Sequence, residues 1–85
     1  YVLCQNYPNP FNPATIIKYQ IPREGFVTIK LYDVLGKEIE TLVSQQQSTG
    51  NYSYNFDASR IASGVYIYKI TVNNFTQSKK MVLLR

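Results

Sequence analysis

Histidine and tryptophan are absent from this 85-residue chain, and cysteine occurs once, at Cys4. Without histidine there is no Ser-His-Asp triad, no imidazole proton shuttle and no histidine metal ligand. A single cysteine permits neither an internal disulfide nor a cysteine-rich metal site. Cys4 is expected to be a small buried apolar group. No run approaches the roughly 18 consecutive apolar residues of a membrane-spanning helix. Glycine-rich phosphate loops are missing. So is any secretory leader, and the chain opens at Tyr1 instead of Met, which suggests a piece of a longer precursor.

Acidic residues are few and confined to one part of the chain. Glu24, Asp33, Glu38, Glu40 and Asp57 all lie in the first 57 positions, and beyond them come only Arg60, Lys69, Lys79, Lys80 and Arg85. A basic half can mark an anionic partner, but lysines also guard the exposed edge of a sheet. The guarded edge is the reading taken here, with nucleic acid not expected as a partner. The acids make poor catalysts: Glu38 and Glu40 share one face of an exposed alternating strand, without a second carboxylate across a cleft. Asp33, three residues before Gly36, suits a turn. Asp57 has no acidic loop around it to hold calcium. Neither a cofactor nor an enzymatic activity is expected.

What the chain has is aromatic and alternating. Eight tyrosines and four phenylalanines suit pleated, half-buried surfaces. Period-2 alternation runs through "TIIKYQI" (15–21), "FVTIKLYD" (26–33), "KEIETLV" (37–43) and "GNYSYNFD" (50–57). "SGVYIYKITV" (63–72) is apolar on both faces, as a central strand would be. "NN" (73–74) is a hairpin signal before the last strand, "FTQSKKMVLLR" (75–85). "PREG" (22–25) and "DVLG" (33–36) are turns, "SQQQSTG" (44–50) reads as a polar loop, and 58–62 allows one turn of helix. With a short pairing segment near Val2–Cys4, about seven strands are predicted. Their pattern is that of an antiparallel immunoglobulin-like β-sandwich forming one domain over residues 1–85. The expected core is Ile17, Tyr19, Val27, Ile29, Leu31, Ile39, Tyr54, Phe56, Tyr66, Tyr68 and Ile70. At this size folding buries roughly 60% of the unfolded surface, enough for one core and too little for a deep catalytic cleft.

A proline-rich strap (5–14) precedes the first long strand. Pro8, Pro10 and Pro13 fix φ and remove backbone donors, and they push Tyr7, Asn9 and Asn12 toward extended conformations. The strap can be neither helix nor central strand. Tyr7 and Phe11 are placed to plug one open end of the sandwich, while the prolines discourage pairing with a neighbouring edge.

The segments "LCQNYPNPFNPAT" (3–15), "VTIKLYDVLGKEIETLV" (27–43), "GNYSYNFDA" (50–58), "SGVYIYKI" (63–70) and "KKMVLLR" (79–85) occur in an order that resembles a known family. It is the C-terminal sorting domain, type A, of proteins exported by the bacterial type IX (Por) secretion system. The opening and the Ser-Gly-Val-Tyr segment carry most of the likeness. Flagellar hook-capping-type immunoglobulin-like modules share the Tyr-Asp-x-x-Gly and Gly-x-Tyr patterns. They lack the Pro-Asn-Pro-Phe-Asn-Pro strap and usually carry Trp-Asp-Gly where this chain has Asn55, Phe56 and Asp57.

The resemblance implies a non-catalytic address label carried behind a larger cargo protein. Its implied partners are the type IX translocon and a sortase-like peptidase. The implied route runs through the periplasm to the outer-membrane surface or the medium. The positions it marks are Pro8, Asn9 and Pro10, then Gly64, Val65 and Tyr66, then Lys80, Met81, Val82 and Leu83. On this view the strap also gives the cargo linker a stiff exit, and the terminal strand offers an open edge for recognition by strand addition. The alternative function is a carbohydrate- or protein-binding immunoglobulin-like module. Self-association through edge strands is a further expectation.

Overall fold

Alternation of buried and exposed side chains sets both layers of the computed structural model, which describes residues 1–85. The strands are β1 (Val2–Leu3), β2 (Ala14–Ile21), β3 (Gly25–Asp33), β4 (Glu38–Gln47), β5 (Gly50–Asp57), β6 (Gly64–Val72) and β7 (Phe75–Leu83). They form a three-stranded sheet, β1-β2-β5, and a four-stranded sheet, β4-β3-β6-β7, with every neighbouring pair antiparallel. The fold is an immunoglobulin-like β-sandwich, as the strand pattern predicts.

β2 and β3 each turn every second residue inward. Ile17, Tyr19 and Ile21 from one sheet meet Val27, Ile29 and Leu31 from the other, all at most 2% exposed. β6 lies between β3 and β7 and supplies Tyr66, Tyr68, Ile70 and Val72; β7 adds Met81 and Leu83. Side chains from both inner faces fill a continuous core. Asp33 shapes the β3–β4 turn as expected. Its Oδ1 accepts the N–H groups of Leu35 and Lys37 at 2.9 Å, and Gly36 takes φ 87°. The Asn73–Asn74 hairpin forms, with Asn73 at φ 55°.

Several expectations need correction. Ile39 is 37% exposed instead of buried. The β3–β4 register shifts between Ile29 and Lys30 and again between Leu31 and Tyr32, which leaves Leu42 and Ile39 without direct partners. These bulges break the period of two, so that adjacent Leu42 and Val43 both face the core while Ile39 turns out. Residues 44–47 are strand and not loop, since they continue the pairing with the start of β3. Gln47 is buried there, and its Oε1 accepts the Tyr19 hydroxyl at 2.8 Å. Tyr54 is only half-buried, because it sits on β5 at a sheet edge. Cys4 is exposed: Leu3 takes the inward position at the end of β1, and the next side chain points away.

The strap runs between β1 and β2. Phe11 is buried (3% exposed) against Phe56, with ring centroids 6.3 Å apart, and so plugs the sandwich as expected. Tyr7 does not. Its N–H and C=O pair with Ile16 at 3.0 Å, and its ring stays 80% exposed. Nor do the prolines prevent edge pairing, because Phe11 keeps its donor. The Phe11 N–H reaches the Val82 carbonyl and the Leu84 N–H reaches the Phe11 carbonyl, each at 3.0 Å, in a parallel bridge.

Candidate recognition site

Gly64, Val65 and Tyr66 on β6 stand directly opposite Leu83, Val82 and Met81 on β7, and Lys80 opposes Ile67. The hairpin at Asn73 thus brings two segments that are separated in the sequence into one ladder. The strap closes the set: Asn9 Oδ1 accepts the Val82 N–H at 2.8 Å, and Gln5 Nε2 donates to the Lys80 carbonyl at 2.6 Å. All the positions marked by the resemblance therefore converge at one end of the four-stranded sheet.

Within that corner the residues divide by face. Tyr66, Met81 and Leu83 point inward and are nearly or fully buried, so they hold the corner together. The Tyr66 hydroxyl donates to the Ala62 carbonyl at 2.6 Å. Gly64 takes φ 156°, an angle side-chain-bearing residues rarely adopt, where the chain enters β6. Pro8 and Pro10 are exposed on the strap. Val65 (38% exposed), half-buried Val82 and exposed Lys80 form the outward surface. Beside it lies a shallow groove of about 290 Å³ lined by Tyr32, Val34, Ile67, Lys69 and Ser78. An apolar strip with lysines at its margin can receive a partner that offers apolar side chains and acidic groups.

The open-edge expectation for the tail needs revision. The strap occupies the outer edge at Lys80, Val82 and Leu84, and two residues of the apolar stretch, Met81 and Leu83, are in the core. What the tail displays is a face.

Sequence reasoning missed the group that holds the strap in place. Asn6 is 1% exposed, and its Nδ2 donates to Thr15 Oγ1 (3.0 Å) and to the Pro8 carbonyl (3.2 Å). Thr15 Oγ1 donates to the same carbonyl at 2.8 Å. Tyr68, from the other sheet, accepts the Asn6 N–H at 2.8 Å and donates to the Cys4 carbonyl at 2.7 Å. Burial pushes the Tyr68 phenol up to about 12, against a partial lowering by the Asn6 hydrogen bond. The available signal was the pair of polar residues flanking the prolines, Asn6 and Thr15.

Asp57 is committed to a turn. The Ser59 N–H at 2.9 Å holds its carboxyl below the usual range, helped by Arg60 and Arg85. On the β4–β5 side a groove of about 340 Å³ includes Tyr19, Leu42, Tyr52 and Tyr54. The Tyr19 and Tyr52 rings stack on each other there, with centroids 5.4 Å apart.

The two packed antiparallel sheets place the chain in the class of small immunoglobulin-like β-sandwich modules. The particular family follows from a match over residues 5–84 to the secretion system C-terminal sorting domain, and the chain belongs to that family. No curated protein and no solved structure gives a significant match.

Proposed function

We propose that this chain is a folded, non-catalytic label that directs an attached cargo protein through the type IX secretion machinery to the cell surface or the medium. The observation that carries this reading is the convergence of the strap, the Gly64–Tyr66 segment and the Lys80–Leu83 segment at one corner. The outward groups there, Val65, Val82 and Lys80, are what the translocon reads; the buried ones keep that surface in shape. A sortase-like peptidase acts on the exported product, with the compact sandwich as the part it removes.

The test is to fuse residues 1–85 behind a reporter that already reaches the periplasm of a type IX-secreting bacterium. The reporter is expected outside the cell in the parent strain and inside the periplasm when the translocon is deleted. Periplasmic retention in both strains would refute the reading.

The glycan-binding alternative rests on the tyrosines of the β4–β5 groove. Sugar recognition uses open aromatic faces, whereas Tyr52 is stacked on Tyr19 and its hydroxyl donates to the Ser48 carbonyl at 2.6 Å. Titration calorimetry against soluble polysaccharides is expected to give no binding heat. Micromolar affinity for any of them would favour the alternative.

A further inference from the structure

We propose that copies of this chain associate edge to edge, with β4 of one copy pairing antiparallel to β7 of the next and Glu40 and Glu38 meeting Lys79 and Lys80. The association is separate from the sorting role and does not depend on it.

Three features of the four-stranded sheet point to a second copy as the occupant of these edges. The first is strand sense. β4 and β7 are its two outer strands, and each step across β4-β3-β6-β7 is antiparallel. The three reversals leave β4 and β7 antiparallel to each other. Moving a copy sideways along the rows of the sheet therefore brings its β4 beside β7 of the first copy in a sense that continues the antiparallel ladder.

The second feature is charge. One row of the sheet reads Glu40, Leu31, Tyr68, Lys79, and the next reads Glu38, Tyr32, Ile67, Lys80. Each begins with an acid on one edge and ends with a base on the other. The sideways repeat places Glu40 opposite Lys79 and Glu38 opposite Lys80. The adjoining rows place Thr41 opposite Ser78, Val43 opposite Gln77 and Ser44 opposite Thr76, which are uncharged pairs. Opposite charges directly across a ladder stabilise it and fix its register. Pairing β7 with β7 would instead crowd lysines together, and pairing β4 with β4 would crowd glutamates.

The third feature is the limit of the open edge. The N–H and C=O of Val82 both face the strap, and the period of two turns those of Ser78 and Thr76 the same way. The strap covers the edge from the Lys80 carbonyl onward, and no strand hydrogen-bonds to the outer side of β7 before it. The open backbone groups are thus those of Ser78 and Thr76, beside the Glu40–Lys79 row, while the Glu38–Lys80 row lies at the strap's margin, where the Lys80 side chain stays exposed. Glu38 has an internal partner, Lys30 at 3.4 Å, but both side chains are well exposed, so the contact yields readily to a new one. Because the two contacting edges differ, the association is heterologous and extends beyond two copies.

Sedimentation velocity on residues 1–85 tests this over a range of concentrations. The chain is expected to form species larger than a dimer at low ionic strength, and these should dissociate as salt is raised. A monomer at every concentration, or a species that stops at two copies, would overturn the proposal. The charge pairing is tested with two variants, E38K/E40K and K79E/K80E, each checked for an unchanged far-ultraviolet spectrum. Each alone carries like charges on both edges and is expected to lose the large species. Mixed in equal amounts, they present opposite edges to each other and are expected to recover it. Failure of the mixture to assemble, or undiminished assembly of either variant alone, would contradict the pairing.

Discussion

At Tyr68 a phenol with no exposed surface joins the two layers, accepting the Asn6 N–H and donating to the Cys4 carbonyl. Removing the hydroxyl would leave the buried Asn6 N–H and the partly buried Cys4 carbonyl without this partner. Tyr68→Phe is therefore expected to cost about 1–3 kcal/mol at neutral pH, measured by urea unfolding. The pH dependence gives a second signature. The folded phenol titrates near 12 and the unfolded one near 10. Its contribution is thus fully present below pH 10 and is lost as the pH rises toward 12, because the unfolded chain ionises first. Tyr19 and Tyr54, also raised by burial, act in the same direction. The parent chain should lose stability steeply across this window, and Tyr68→Phe should lose it less steeply. Identical slopes would mean that Tyr68 does not titrate as a buried group. At the acid end Asp57, lowered chiefly by the Ser59 N–H, contributes stability present above its ordinary value near 3.8 and lost as the pH falls below it. Asp57 is exposed, so that effect is small.

Among the elements, the strap behaves as a short replacement strand on the outer edge of β7. Phe11 supplies both its backbone bridge and its anchor in the core. Phe11→Ala is expected to destabilise the fold by about 3–5 kcal/mol, the range for a buried aromatic. Asn9→Ala, which removes only the acceptor for the Val82 N–H, should cost about 1 kcal/mol. Amide exchange separates these effects from global loosening. The Val82 amide should exchange faster in Asn9→Ala while those of Ile29 and Tyr68, on central strands, stay protected. Unchanged protection at Val82 would show that the strap does not hold the edge. β2, β3, β5 and β6 were legible in the sequence because each alternates or stays apolar over its length, and their burial follows that local pattern. β4 was only partly legible, since two bulges shift its phase at Ile39 and Leu42 and its polar end finds partners on β3. Of the strap's docking, only the Phe11 plug was legible; the polar contacts that hold the strap were not. They join residues more than 60 positions apart, such as Asn6 with Tyr68 and Asn9 with Val82.

For the molecule as a whole, the buried and displayed halves of the corner have different jobs, and substitutions can separate them. Deleting residues 79–85 removes Met81 and Leu83 from the core, so lost export after that deletion would report unfolding as readily as lost recognition. Lys80 is a better probe. Its side chain is exposed and its carbonyl, not its ammonium, holds Gln5. Lys80→Ala should change stability by less than about 0.5 kcal/mol. Val65, opposite Val82 on the same outward surface, can be replaced by Ser at similarly low cost. The most direct test of the label is the exported fraction of a reporter carrying residues 1–85 with Lys80→Ala and Val65→Ser together, measured beside the Tm of the same purified domain. The account predicts a Tm close to that of the parent and a reporter held in the periplasm. Export equal to the parent at equal Tm would contradict it, because the machinery would then be reading something other than this surface.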